Sequence, residues 1–413
     1  MRAPDEPERR VLGLERNVFA AGAVSFFMDV SSEMVYPLVP LFLSAVLGVP
    51  KSVIGLIEGV AETTASLLKV ASGWYSDRIG RRKGLMGAGY GISALSRIGL
   101  ALAASWSQVL GARFVDRLGK GVRTAPRDAI IADSSPPAEM ARGFGFHRAM
   151  DQLGAVLGPG VAFLILTWHP GDYRTVFWVS LLPGLLAAAV VVLFIRERQR
   201  PRATRAARSG GREGAVSLRE KVRRVRGPLF GYLVVTGLFA LGNSSDAFLI
   251  LRAEDVGVTA ALIPLVYLVF NLVYSGLSVP AGLLADRFGR RRLLILGYVM
   301  FSLTYAGLAL ARTSLHIWIL FVLYGAYMGF ADGNGRAFLA ELAPAERRAT
   351  AFGAYHSVVG VAALPSSAVA GLLWDRVSPA APFWVGAATA LVAAALLPIL
   401  VRSSHDRERF EAA

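Results

Sequence analysis

The stretch GWYSDRIGRRK, residues Gly73–Lys83, returns further along the chain as GLLADRFGRRR, residues Gly282–Arg292. A second echo pairs PAEMARGFG (Pro137–Gly145) with PAERRATAFG (Pro344–Gly353). Self-similarity over so long a period divides a 413-residue chain into two equivalent halves. Each copy is a short polar turn between long apolar runs. A membrane helix needs about 20 mostly apolar residues to cross the hydrocarbon core. Twelve runs fit that length, near 18–46, 53–76, 84–104, 107–133, 143–168, 175–195, 229–251, 259–285, 292–311, 315–341, 348–374 and 382–401. The first echo then falls after helices 2 and 8, and the second after helices 4 and 10. The expected fold is all-α: twelve transmembrane helices in two pseudo-symmetric six-helix bundles. Residues 1–195 and 228–413 form the bundles, and 196–227 form a linker.

Composition agrees. Apolar residues make up 54% and charged residues 18%, against about a quarter charged in soluble domains. Mean hydropathy is +0.50. With no cysteine, disulfides, thiolate metal sites and thiol nucleophiles are excluded. The net charge of +15 could suggest nucleic acid, but Arg196–Gly227 holds 12 Lys/Arg against 3 Glu. Most of the excess therefore sits in one linker, which reads as a cytoplasmic membrane-surface segment, with no nucleic acid as partner. The first sixteen residues do not read as a cleaved signal. If the N-terminus is cytoplasmic, the inner segments hold 30 Lys/Arg and the outer loops five. That bias places both termini inside, in what is expected to be a bacterial plasma (inner) membrane.

With these turns in hand, the chain resembles the major facilitator superfamily over nearly its whole length. The G-x-x-x-D-R-x-G-R-R turn is that family's most specific signature. Arg117-Leu-Gly-Lys-Gly121 is similar to its second motif, with Lys120 where Gln is usual. Gly145, Gly154, Gly158 and Pro159 in helix 5 resemble the motif of the drug:proton antiporter branch, although Ala162 and Phe163 replace its last two glycines. The resemblance implies alternating access, with Gly73, Asp77, Arg78, Arg81, Gly282, Asp286, Arg287 and Arg290 forming a conformational latch. In that scheme Asp77 would face the start of helix 11, and Asp286 the start of helix 5.

Charges inside membrane spans are costly and point to function. Asp29 and Glu33 lie one turn apart on helix 1. Glu58 and Glu62 share a face of helix 2 with Lys69. On helix 4, Arg113, Arg117, Lys120, Arg123 and Arg127 fall within roughly 120° of the helix surface, and Asp116 lies inside that sector. Helix 5 adds Arg148 and Asp151. The expected proton-coupling set is Asp29, Glu33, Glu58, Glu62, Arg117 and Asp151. The expected substrate contacts are Asp29, Glu33, Arg117 and Arg148, with Asn243, Asp246, Asn271, Tyr267 and Tyr324 from the quieter second half. The leading expectation is proton-coupled efflux of a small amphipathic molecule by a monomer in contact with lipid. It needs no cofactor, no metal and no catalytic residue. An organic-anion exchanger using the helix 4 bases is the alternative. A receptor or membrane enzyme is a further one, but no Walker loop, H-E-x-x-H or G-x-S-x-G motif accompanies it.

Overall fold

The computed structural model describes residues 10–11, 14–79, 82–136, 139–197, 227–344 and 348–401. The side chains of residues 10, 11, 70, 73, 74, 77–79, 141 and 349 also fall outside the description. The expected linker lies almost wholly outside it, as do the side chains of Gly73, Asp77, Arg78 and Arg81.

A short antiparallel pair, β1 (Arg10–Val11) and β2 (Leu14–Glu15), precedes the helices. The first half then runs α1 (Arg16–Val35), α2 (Lys51–Ile79), α3 (Arg82–Leu102), α4 (Trp106–Ser134), α5 (Met140–Trp168) and α6 (Tyr173–Phe194). The second runs α7 (Pro228–Gly242, resuming over Ala247–Asp255), α8 (Ile263–Phe288), α9 (Arg290–Leu310), α10 (Ser314–Leu342), α11 (Arg348–Arg376) and α12 (Ala381–Leu400). Every expected span is present. Among the described residues, ten pass as membrane-spanning by length and apolar composition alone. The other two, α2 and α4, are equally long but carry the charges of the sequence reading, and most of those charges turn inward.

The first helix of each half is broken. After Val35 the chain turns, re-forms one helical turn over Val39–Leu41 and passes into a π turn at Phe42–Val46. Pro37 and Pro40 explain the break, because neither offers a backbone donor. The expectation of one continuous helix over 229–251 is corrected: α7 opens at Asn243–Asp246. Short polar side chains compete there with the helix for backbone groups. Ser245 N donates to Ser367 Oγ at 3.2 Å, and Ala247 N to Ser245 Oγ at 3.3 Å.

Two seams join the halves, α2 against α11 and α5 against α8. We call the end with the Arg-rich turns the basic end and the opposite one the far end. At the far end, Asp375 on α11 accepts from Lys51 N at 3.1 Å and Ser52 N at 2.8 Å, capping α2. Nearer the middle, Thr63 Oγ1 donates to Gly360 O at 2.7 Å. On the other seam Asn271 Nδ2 donates to Ala155 O at 3.1 Å, and Ser275 Oγ to Gln152 Oε1 at 2.7 Å. Toward the basic end the space beside Gly145 on α5 and Gly282 on α8 is open, and a Cβ at either would meet nothing within 4 Å. Large apolar side chains such as Leu182, Leu193, Val279 and Leu303 point outward, as a lipid-facing surface requires.

Candidate functional site

Between the halves lies a cavity of ≈ 360 Å³, within the range of small-molecule sites. Its first wall is α1. Asp29 and Glu33 face it, each resting on a glycine of α5. A Cβ on Gly154 would lie 2.9 Å from Asp29 Cβ and 2.6 Å from Phe26 O, and one on Gly158 3.0 Å from Glu33 Cβ and 2.7 Å from Val30 O. Any larger residue would push α1, with its carboxylates, away from α5. Asp29 makes no ion pair among the described residues, and Glu33 Oε2 is buried without a hydrogen-bond partner in the protein.

The second wall is α4 with α2 and α3. Three of its bases are closed onto carboxylates of the same half. Arg97 meets Asp116 at 3.2 Å and Arg117 meets Glu62 at 3.2 Å. Arg113 grips Glu58 with two bonds, at 3.0 and 2.5 Å, and stands 5.7 Å from the Tyr36 ring centroid. Bidentate geometry makes that last pair strong. Lys120 lines the same cavity with no ion pair among the described residues. Arg123 lies 4.5 Å from the Tyr90 ring centroid, with Nη1 buried and unpartnered.

The third wall is the break in α7, which brings Asn243, Ser244, Ser245 and Asp246 to the cavity. Tyr324 donates to Asp246 Oδ1 at 2.6 Å. Tyr267 also lines the cavity and packs 5.7 Å from Tyr36.

The structure thus brings together Asp29, Glu33, Glu62, Arg117, Asn243, Asp246 and Tyr267. It places the other expected residues elsewhere. Glu58 is 1% exposed and held by Arg113, outside the cavity lining. Arg148, with a 52% exposed side chain, reaches across the α5–α8 seam to Tyr274 OH at 2.7 Å and Asp332 at 3.9 Å. Asn271 is committed to the same seam, and Tyr324 stands behind Asp246. Asp151 sits beside His147, 3.6 Å away, outside the cavity lining.

The expected latch is likewise not engaged on the side described. Asp286 is 69% exposed and holds Arg290 at 3.4 Å, while Arg290 also reaches Glu341 at 3.6 Å, all within one half. Arg287 leans over Phe288. Gly282 makes no close approach to a neighbour. Helical periodicity grouped Lys120 with the α4 bases without naming it as a contact, and it did not reach Ser244 or Ser245. The signal for Lys120 was its departure from the motif Gln. That for the serines was the helix-breaking run from Gly242 to Asp246.

Comparison with known proteins agrees with this fold. The family model described as Major Facilitator Superfamily matches residues 21–251 and 233–413. An uncharacterized MFS-type transporter of Methanocaldococcus jannaschii is 33% identical over 390 residues, covering 93% of this chain and 94% of its own. A homolog of the multi-drug resistance efflux pump PmrA in Lactococcus lactis is 25% identical over 385 residues, covering 89% and 91%. Among solved structures, a D-xylose-proton symporter superposes with a TM-score of 0.75 at 15% identity, covering 94% of this chain and 97% of that one. With two six-helix halves around a polar cavity and a family match along both of them, the chain belongs to the Major Facilitator Superfamily and is an integral membrane transporter of that type.

Proposed function

We propose that the chain exports a small amphipathic molecule in exchange for protons, by rocking its halves about the cavity. The observation that carries the reading is Asp29 and Glu33, two carboxylates one turn apart on the same wall and free of ion pairs among the described residues. An unpaired carboxylate in a low-dielectric span gains most from a partner that neutralises it. A proton and a substrate cation are rival partners, and that rivalry is the basis of exchange. The L. lactis relative named as an efflux pump supports the direction, and the Lys/Arg bias supports termini and basic end in the cytoplasm. In that orientation the present arrangement is closed outward, with the Asp286 latch undone. The organic-anion alternative is less well supported, because Arg97, Arg113 and Arg117 already hold carboxylates of their own half.

The test uses proteoliposomes loaded with a pH-sensitive dye. Amphipathic amines and amino acids are added one at a time, and solute-induced proton movement is followed. Wild-type protein moves protons in response to at least one solute. Asp29→Asn or Glu33→Gln abolishes that response while the protein still melts cooperatively. If both variants move protons like the wild type, coupling does not run through this pair and the reading falls.

A further inference from the structure

Most of the bases that line the cavity from α3 and α4 are held by carboxylates, and among the described residues Lys120 and Arg123 are not. Arg97, Arg113 and Arg117 each hold a carboxylate at 2.5–3.2 Å. Lys120 does not, although Asp29 and Glu33 face the same cavity. At 1.5 Å rise per residue, Asp29 lies about 20 Å from the start of α1 and Lys120 about 21 Å from the end of α4. Both of those termini are at the basic end, so the opposed charges sit at one depth with the cavity between them. Buried polar atoms without protein partners mark both walls: Glu33 Oε2 on one, Arg117 Nε and Arg123 Nη1 on the other.

From this opposition we infer that the transported molecule is a zwitterion. Its ammonium-type end is taken by Asp29 and Glu33, and its carboxylate- or phosphate-type end by Lys120 with Arg123 and the unpartnered Nε of Arg117. A simple cation would satisfy α1 and be repelled by Lys120; a simple anion would do the reverse. A molecule carrying both charges satisfies both walls, in surroundings where Coulomb terms exceed those in water. The Tyr267 side of the cavity takes the apolar body. The inference rests on the exchange reading for its link to protons: a proton on Asp29 or Glu33 would release the ammonium end.

Binding is measured on purified, detergent-solubilised protein at one pH with no gradient, by thermal shift and titration. The probes are two matched sets. One is L-phenylalanine with phenethylamine and hydrocinnamate; the other is ε-aminocaproate with hexylamine and caproate. Ligand binding raises the melting temperature by mass action. At least one zwitterion should bind about tenfold or more tightly than either of its single-charge partners, the scale of one lost charge-assisted hydrogen bond. Lys120→Gln should remove the advantage over the amine, Lys120→Arg should keep it, and Asp29→Asn should remove the advantage over the carboxylate. The inference is overturned if both amines match their zwitterions, if Lys120→Gln leaves the ratios unchanged, or if neither zwitterion shifts the melt. Because no gradient is imposed, failure of proton exchange leaves these outcomes intact, and zwitterion rejection leaves the dye assay intact.

Discussion

The two halves share a helix plan but hold their interiors by different means. The first half is knit by ion pairs between neighbouring helices: Arg97–Asp116 and Arg113–Glu58, both buried, and Arg117–Glu62, open to the cavity. The second is knit by rings. Phe239 stacks on Tyr298 at 4.5 Å, Phe301 meets Tyr327 edge-on at 5.0 Å, and Phe270 stacks on Tyr324 at 5.3 Å. Ion pairs are directional and leave unlike charges to be arranged around a ligand. Aromatic stacks are less so, and provide an apolar wall. The difference divides labour across the cavity: the first half supplies charge, the second shape.

The sharpest way to break this comparison is to remove one member of a first-half pair. Glu58→Gln or Arg113→Gln leaves a buried charge without its partner and should cost about 3–5 kcal/mol, read as a large drop in melting temperature in detergent. The double change to Met at both positions should recover most of the loss, because two matched apolar groups avoid the desolvation cost. If the single changes are harmless, the first half is not held by its ion pairs.

A smaller effect is expected in the second half. Tyr324→Phe keeps the ring stack and deletes the one donor to Asp246 Oδ1. Leaving that acceptor unsatisfied should cost about 1–3 kcal/mol. A loss equal to that at Glu58 would mean the rings matter less than this one polar contact.

The smallest effect is at matching helix starts. Asp172 caps α6, accepting from the Thr175 side chain at 2.6 Å and its backbone N–H at 3.1 Å. The equivalent α12 has Ala380 at its N-cap and no side-chain cap. Asp172→Ala makes the two starts alike and should cost about 0.5–1 kcal/mol. The Thr175 bonds hold the Asp172 carboxyl below its ordinary value of 3.8. Its contribution is therefore complete above 3.8 and fades as pH falls through the lower folded value. Melting curves of the variant and wild type should differ at neutral pH and converge in acid.

The fold was legible because span length and the repeated turn are local features of the sequence. The site was legible only by halves. Periodicity correctly put Asp29 with Glu33 and grouped the α4 bases, since a helix fixes which residues share a face. It could not tell which of two buried surroundings a face meets. Glu58 and Glu62 share a side of α2, yet one turn of helix sends Glu62 to the cavity and Glu58 into the contact with α4. Arg148 and Asn271 fall outside the cavity lining for the same reason, because the partners that hold them, Tyr274 and Ala155, lie more than a hundred residues away. The break in α7 was overlooked because the apolar run continues on both sides of it.

The Glu58–Arg113 pair also bears on how the chain is made. Its members are separated by 55 residues, so α2 leaves the ribosome well before α4. At synthesis rates of about 5–20 residues per second, the acid waits on the order of 3–10 s for its base. A carboxylate stranded at a helix centre in lipid costs about 2.5–3.5 kcal/mol on insertion scales. Stable lodging of α2 in the bilayer should thus depend on the arrival of α4, and nascent chains truncated before Arg113 should leave α2 easier to extract than chains truncated after it.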